Sequence, residues 1–216
     1  MVRRKLFTDL QAHLPKKEFS IITGARQTGK STILRQLEEE CKERSIPVVF
    51  LNLENKLILA ALNQSPLNLL QYIPETSERV VVLIDEVQYL DDPSNFLKLL
   101  YDEYAPKLKI VASGSSAFYI DDRFRDSLAG RKRLFHLFTC SFDEYLEIAG
   151  ETTLLREYKT ICSRSDYKSI HIELLRIEWE KYILYGGYPA VVADPGKDEK
   201  VSRLKDIRDY FIKRDV

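Results

Sequence analysis

What this chain lacks narrows it first. No apolar run approaches the ~18 residues that a membrane-spanning helix needs, and the opening MVRRKLFTDL has no signal-peptide core. The three cysteines, Cys41, Cys140 and Cys162, are scattered, which fits neither a disulfide framework nor a zinc spacing. Reduced thiols and a cytoplasmic location are the expectation. Histidine is as sparse: His13, His136 and His171 are too dispersed for a metal cluster, and no Ser–His–Asp arrangement can be argued. Neither sign of charge predominates, because 33 basic residues cancel 33 acidic ones, so no global field draws the chain to nucleic acid or an anionic membrane. A local basic face is compatible with that balance. Internal repeats and low-complexity segments are missing too. What remains is 216 residues, 44% hydrophobic and 31% charged, enough for one large soluble domain or a domain with a small appendage.

Against that plain background one stretch stands out, Phe19 to Ile33, FSIITGARQTGKSTI. An apolar strand-like run leads into Gly24-Ala25-Arg26-Gln27-Thr28-Gly29-Lys30-Ser31, and a helical pattern follows at once. This is G-x-x-x-x-G-K-[ST] between a strand and a helix, the context that gives the pattern physical meaning. Its glycines let backbone N–H groups turn inward around phosphate oxygens, and the helix adds the positive end of its dipole. Lys30 supplies an ammonium for the β and γ phosphates, and the Ser31 hydroxyl suits magnesium. The candidate nucleotide-binding set is therefore Gly24, Ala25, Arg26, Gln27, Thr28, Gly29, Lys30, Ser31 and Thr32.

The rest of the chain alternates. Arg4 to Leu14 reads as a short helix closed by Pro15, and Thr32 to Arg44 as the helix behind the phosphate loop. Pro47 to Leu53 is a second strand. Lys56 to Tyr72 is helical with a break near Pro66, Val80 to Ile84 is a third strand, and Ser94 to Tyr104 is a helix ended by Pro106. Leu108 to Ala112 and Arg133 to Phe138 complete five strands. Apolar strands alternating with helices predict an α/β fold, a parallel sheet covered on both faces. From about Ser141 the pattern turns helical, over Phe142 to Ile148, Thr153 to Ile161 and Ile170 to Leu184. The expected division is a nucleotide-binding core over 1–140, a helical lid over 141–199, and a helix over 200–216. That last helix stops without cap or breaker, so the expectation is either that it docks onto the helical part or, as the favoured reading, that the natural protein continues beyond it.

The third strand ends in Asp85-Glu86. In a sheet whose ligands bind at the carboxyl edge, both acids emerge beside the phosphate loop. Asp85 is placed to hold magnesium and Glu86 to polarise a water for in-line attack on the γ phosphate. The fourth strand ends in Ser113-Gly114-Ser115-Ser116, where a hydroxyl sensing the γ phosphate competes with an ordinary turn. Ser115 and Ser113 are both candidates, and periodicity does not choose between them. Arg131 follows the Leu128-Ala129-Gly130 turn, and the expectation is that it points to the nucleotide edge or to a neighbouring subunit. Arg125 and Arg133 are weaker candidates, with Arg123 beside them. Gln88 either orients water, locks the strand tip or simply caps a helix, and Asn52 to Asn55 reads as a plain strand end.

With GARQTGKST, LIDEVQYL, ASGSSAF, SLAGRKR, SFDEYL and YGGYP in place, the whole chain resembles a family of prokaryotic AAA-like P-loop ATPases. Longer members of that family carry a C-terminal domain. The resemblance implies the strand order 5-1-4-3-2, a helical lid after the fifth strand, ATP with Mg2+ as ligands, and a C-terminal domain that is missing here. The expected activity is ATP hydrolysis coupled to movement of the lid or C-terminal domain, with catalytic roles for Glu86, Lys30, Arg131 and Ser115 and metal roles for Ser31 and Asp85. The alternative is a nucleotide-gated binding module, a slow switch that recruits DNA or a protein partner. A homo-oligomer is expected if Arg131 acts in trans. A small-molecule kinase is disfavoured, because Glu86 suits water rather than a substrate hydroxyl.

Overall fold

The computed structural model describes residues 2–115 and 128–215, apart from the side chains of 210 and 213–215. Ser116, Arg123 and Arg125 lie outside the described residues. The chain forms two compact units. A sheet unit comprises Lys5–Ala25 and Gly29–Leu137, and a helical unit comprises Met1–Arg4, Arg26–Thr28 and Phe138–Val216.

In the sheet unit five strands are all parallel: β1 (Phe19–Gly24), β2 (Val48–Asn52), β3 (Val80–Asp85), β4 (Leu108–Ser115) and β5 (Lys132–His136). Their order is β2-β3-β4-β1-β5, the expected 5-1-4-3-2 read from the other edge. β4 thus lies between β1 and β3, with Ser20 beside Val111 and Leu83 also beside Val111. Successive side chains alternate between faces of a strand, so Ile22, Leu83 and Val111 pack on one side, against Phe7 and Leu10 of α1 (Lys5–His13) and Ile33, Leu34 and Leu37 of α2 (Lys30–Glu43). Ile21, Ile84, Ile110 and Ala112 pack on the other, against Leu62 of α3 (Lys56–Gln64) and Phe96, Leu97 and Leu100 of α4 (Pro93–Tyr104). Each such aliphatic side chain gains about 1.5–3 kcal/mol on leaving water. Burial on both faces is why these strands read as unbroken apolar runs.

The break near Pro66 is real. Proline cannot continue the helix, so α3 ends and a 3-10 turn over Pro66–Tyr72 restarts, with Ser65 Oγ accepting from Leu67 N at 3.3 Å. α4 begins the same way, with Pro93 in its first turn and Asp92 accepting from Asn95 N at 2.9 Å.

The helical unit holds α5 (Phe142–Ile148), α6 (Thr152–Ser163), α7 (Ile172–Tyr185), α8 (Pro189–Ala193) and α9 (Lys197–Asp215). Its core is Phe142, Tyr145, Leu146, Leu154, Leu175 and Val192. The Phe142 ring meets Trp179 and Tyr158 edge-on, at 4.8 and 5.1 Å between centroids. Ser141 and Glu144 form a capping box that starts α5, with Ser141 N donating to Glu144 Oε2 at 3.0 Å. The Tyr185-to-Pro189 segment ends α7 through Gly186, at φ 75°. Gly187 then lies flat against Cys140, whose N–H donates to its carbonyl at 2.7 Å, and any added Cβ would strike the Cys140 carbonyl oxygen. α8 is a short element that the apolar pattern does not announce.

Candidate functional site

The phosphate-loop sequence joins β1 to α2. Gln27 at φ 60° and Gly29 at φ 99° both take left-handed backbone, which folds the bend back on itself; glycine does so without strain. Gly29 precedes the first turn of α2, and its carbonyl accepts from Ile33 N at 3.0 Å. The amides that open a helix point along its axis, here toward the bend. Lys30 is buried, and its Nζ donates to the carbonyls of Gly24 and Ala25, both at 2.9 Å. The ammonium therefore sits inside the curve of the loop, where a phosphate would offer it stronger acceptors. Ser31 is exposed at the start of the helix.

Across the sheet, the register places the acids at the same edge. β1 pairs with β4 up to Gly24 beside Ser115, and β3 pairs with β4 up to Ile84 beside Ala112. The ends of β1 and β3 flank β4, about 10 Å apart at the usual strand spacing. Asp85 is buried and accepts from Ser113 Oγ, and the same oxygen accepts from Glu86 N at 3.1 Å. Ser113, rather than Ser115, is the hydroxyl in contact with the acid pair. Ser115 contributes its N–H, which donates to Gln88 Oε1 at 3.3 Å, while Gln88 Nε2 donates to Glu86 Oε2. Gln88 thereby ties the tips of β3 and β4 together.

Glu86 itself stands at φ 61°, ψ 50°, a left-handed conformation that glutamate rarely takes. Such strain costs on the order of 1–3 kcal/mol and concentrates at functional positions. Asn52 and Asn55 serve the chain locally: Asn52 Oδ1 accepts from Glu54 N at 2.9 Å, and Asn55 caps α3 through Leu57 N at 3.0 Å.

Arg131 corrects the expectation that it points to the nucleotide edge. It lies just before β5, and its carbonyl accepts from Phe19 N at 2.9 Å, at the start of β1. In a parallel sheet the residue before a strand belongs to the amino edge, so Arg131 and Gly24 are separated by the length of β1. Its guanidinium grips Asp102, Nε to Oδ1 at 2.6 Å and Nη2 to Oδ2 at 3.2 Å. That pair holds the Asp102 carboxyl below its usual range.

In the helical unit the sequence reading missed Arg4. It is 8% exposed, and its Nη1 donates to the carbonyl of Thr28, the residue before Gly29, at 2.8 Å. Nη2 donates to the carbonyl of Phe138 at 2.9 Å, and Nε lies 3.0 Å from Glu144 Oε1. The partners are up to 140 residues away, so no local pattern could have pointed to it.

The sequence model of an AAA domain matches residues 16–146, more than half of the chain. The chain belongs to this AAA domain family. The matched span contains the phosphate loop, Asp85-Glu86 and Ser113 at the carboxyl edge, and Arg131 at the opposite edge. None of the curated proteins compared with this AAA domain matches it. Among solved structures, the Orc1 protein of Aeropyrum pernix in complex with DNA is similar at 13% identity and a TM-score of 0.48, over 85% of this chain and 68% of that one. A DNA replication initiation factor is similar at 17% identity and TM-score 0.48, over 94% and 63% of the two chains. The Pif1 helicase of Candida albicans follows at 14% and 0.44, over 72% and 44%. The chain thus spans less than two thirds of the last two. Family membership and the phosphate loop together support nucleotide binding and hydrolysis in general.

Proposed function

We propose that this AAA domain binds ATP with magnesium and hydrolyses it, with Glu86 as the water-activating base. The observation that carries this is Asp85. Its residue is 5% exposed, its carboxylate takes a hydroxyl from Ser113, and it joins no ion pair among the described residues. A buried carboxylate with one hydroxyl partner is costly alone and fits a divalent cation. Asp85 and Ser31 are the residues that would hold magnesium, which when bound neutralises charge on the β and γ phosphates. Lys30 exchanges its loop carbonyls for phosphate oxygens, and the amides of Gly29 to Thr32 face the same group. Arg26, Gln27 and Thr28 line the bend, with Gly24 and Ala25 at its start. Glu86 accepts a proton from the attacking water, and Ser113 or Ser115 registers the γ phosphate. Catalysis here is positioning and charge stabilisation.

Coupling to the helical unit is part of the proposal. Arg26–Thr28, the apex of the loop, groups with that unit, so a rearrangement of the loop on hydrolysis is felt there through the Arg4 bonds. Arg131 enters only as a residue offered in trans to a second copy, which would require it to leave Asp102.

Turnover by Glu86→Gln, measured with ATP and magnesium, is expected to fall by about 10²–10⁴ with nucleotide affinity kept. Hydrolysis at the parent rate would remove the assigned base. One observation bears on the slow-switch reading, in which bound ATP recruits DNA or a protein. Gln88 holds one Glu86 carboxylate oxygen, which leaves the other to meet water. Single-turnover rates with and without DNA separate the two, since strong stimulation indicates a motor-like enzyme and unaffected slow turnover a switch.

A further inference from the structure

At the amino edge of the sheet, opposite the phosphate loop, lies a cavity of about 400 Å³. That is within the range of small-molecule sites. The ends of α1 and α2 and the starts of β3 and β4 enclose it. Leu14, Ile46 and Val81 give it an apolar wall, and Arg79 and Lys109 line it with cations. The one carboxylate in the lining, Glu40, is already engaged, its Oε1 taking Gln11 Nε2 and Arg44 Nη2, both at 2.7 Å.

Among the described residues, no carboxylate engages Arg79 or Lys109. Lys109 is 0% exposed, and its Nζ meets the Glu18 carbonyl, the Lys16 carbonyl at 3.4 Å and His13 Nδ1 at 3.1 Å. Arg79 spreads over the carbonyls of Pro15, Lys16, Lys17 and Leu108 at 3.0–3.3 Å, and its buried Nε has no hydrogen-bond partner. Every acceptor is neutral, and neither residue joins an ion pair among the described residues. Stapling the Pro15-to-Glu18 turn explains the hydrogen bonds. It leaves unexplained why two positive charges, rather than neutral donors, are brought together next to an apolar hollow, where each raises the cost of the other.

We propose that this cavity binds a small organic monocarboxylate with an aromatic or branched aliphatic body, its carboxylate toward Arg79 and Lys109 and its body against Leu14, Ile46 and Val81. The proposal is independent of the nucleotide site. It carries a proton signature. Burial and then Arg79 push Lys109 down to about 7, with Glu18 opposing them; His13 and the Lys16 carbonyl complete its surroundings. An anion alongside favours the ammonium, so binding near neutral pH takes up protons.

Calorimetric titration of the full chain with 2-naphthoate, its neutral isostere 2-naphthamide and inorganic phosphate tests this. Naphthoate is expected to bind one to one with a submillimolar Kd, naphthamide at least about tenfold more weakly, and phosphate undetectably. Lys109→Met and Arg79→Gln each weaken naphthoate at least about tenfold, and Ile46→Phe, which fills the hollow from a half-buried position, abolishes it. Heats in two buffers of different ionisation enthalpy show proton uptake in the parent and none in Lys109→Met. Equal affinity for acid and amide overturns the proposal. So does unchanged affinity in the folded variants, or no binding at about 5 mM naphthoate, a bound weaker than any specific site.

Discussion

Removing Arg4 tests how the helical unit is held together. Its guanidinium is 8% exposed and bridges Glu144 at 3.0 Å, the Thr28 carbonyl at 2.8 Å and the Phe138 carbonyl at 2.9 Å. Arg4→Met keeps much of the apolar stem but deletes the charge that faces the buried Glu144 carboxylate, while the Ser141 N–H and hydroxyl stay in place. Breaking a buried pair from one side costs about 3–5 kcal/mol. The two carbonyls that lose donors push toward the upper end, and methionine packing pulls back. The chain's single tryptophan, Trp179, packs on Phe142 in this unit, so its fluorescence in a urea titration reads the unit directly. Arg176→Met is the control, since Arg176 pairs with Glu173 at side-chain exposures of 65% and 73%, worth about 0.2–0.5 kcal/mol. Arg4→Met combined with Glu144→Leu should cost less than the two single changes added together, because no lone charge remains. An Arg4→Met loss below about 1 kcal/mol, or one equal to the control, would refute the buried-pair account.

Other outcomes follow from the same geometry. Lys30→Ala should weaken binding of a fluorescent ATP analogue at least about tenfold, since a charge-assisted contact of about 1.5–3 kcal/mol is lost. Ser113→Ala should slow hydrolysis more than Ser115→Ala, because only the Ser113 hydroxyl touches Asp85 and the Glu86 amide; equal effects would point to a plain turn. Gly187→Ala should lower the melting temperature of the helical unit, at about 1–3 kcal/mol for forcing a methyl against Cys140. Burial, and next Lys109 and Arg133, push His13 from 6.5 down to about 4. The unfolded imidazole therefore takes a proton first, so stability is full above about pH 6.5 and declines toward pH 4. A His13→Gln variant should lack that part of the decline.

Legibility from sequence tracked the physics of each element. The strands buried on both faces, β1, β3 and β4, announce themselves as apolar runs, and the phosphate loop and the Asp85-Glu86 pair sit where a parallel sheet delivers its strand ends. Ser113 and Ser115 could not be told apart because they stand two residues apart on one strand and point to the same face, so alternation treats them alike. α8 stays hidden because five residues span little more than one turn, too short for a helical period. Arg131 was misplaced by reading the turn before β5 without its direction, although parallel topology assigns every such turn to the amino edge. Arg4 depends on Phe138, 134 residues on, and only the folded chain brings the two together.

Glu86 carries a consequence for anyone who improves this protein by heat resistance alone. Glycine or asparagine would rest more easily at φ 61° than glutamate does, so replacing that acid should raise the melting point while abolishing turnover. A thermal selection would therefore drift toward a sturdy, inert molecule, and the position where robustness and reactivity part company would mark the reacting centre without any substrate having been added.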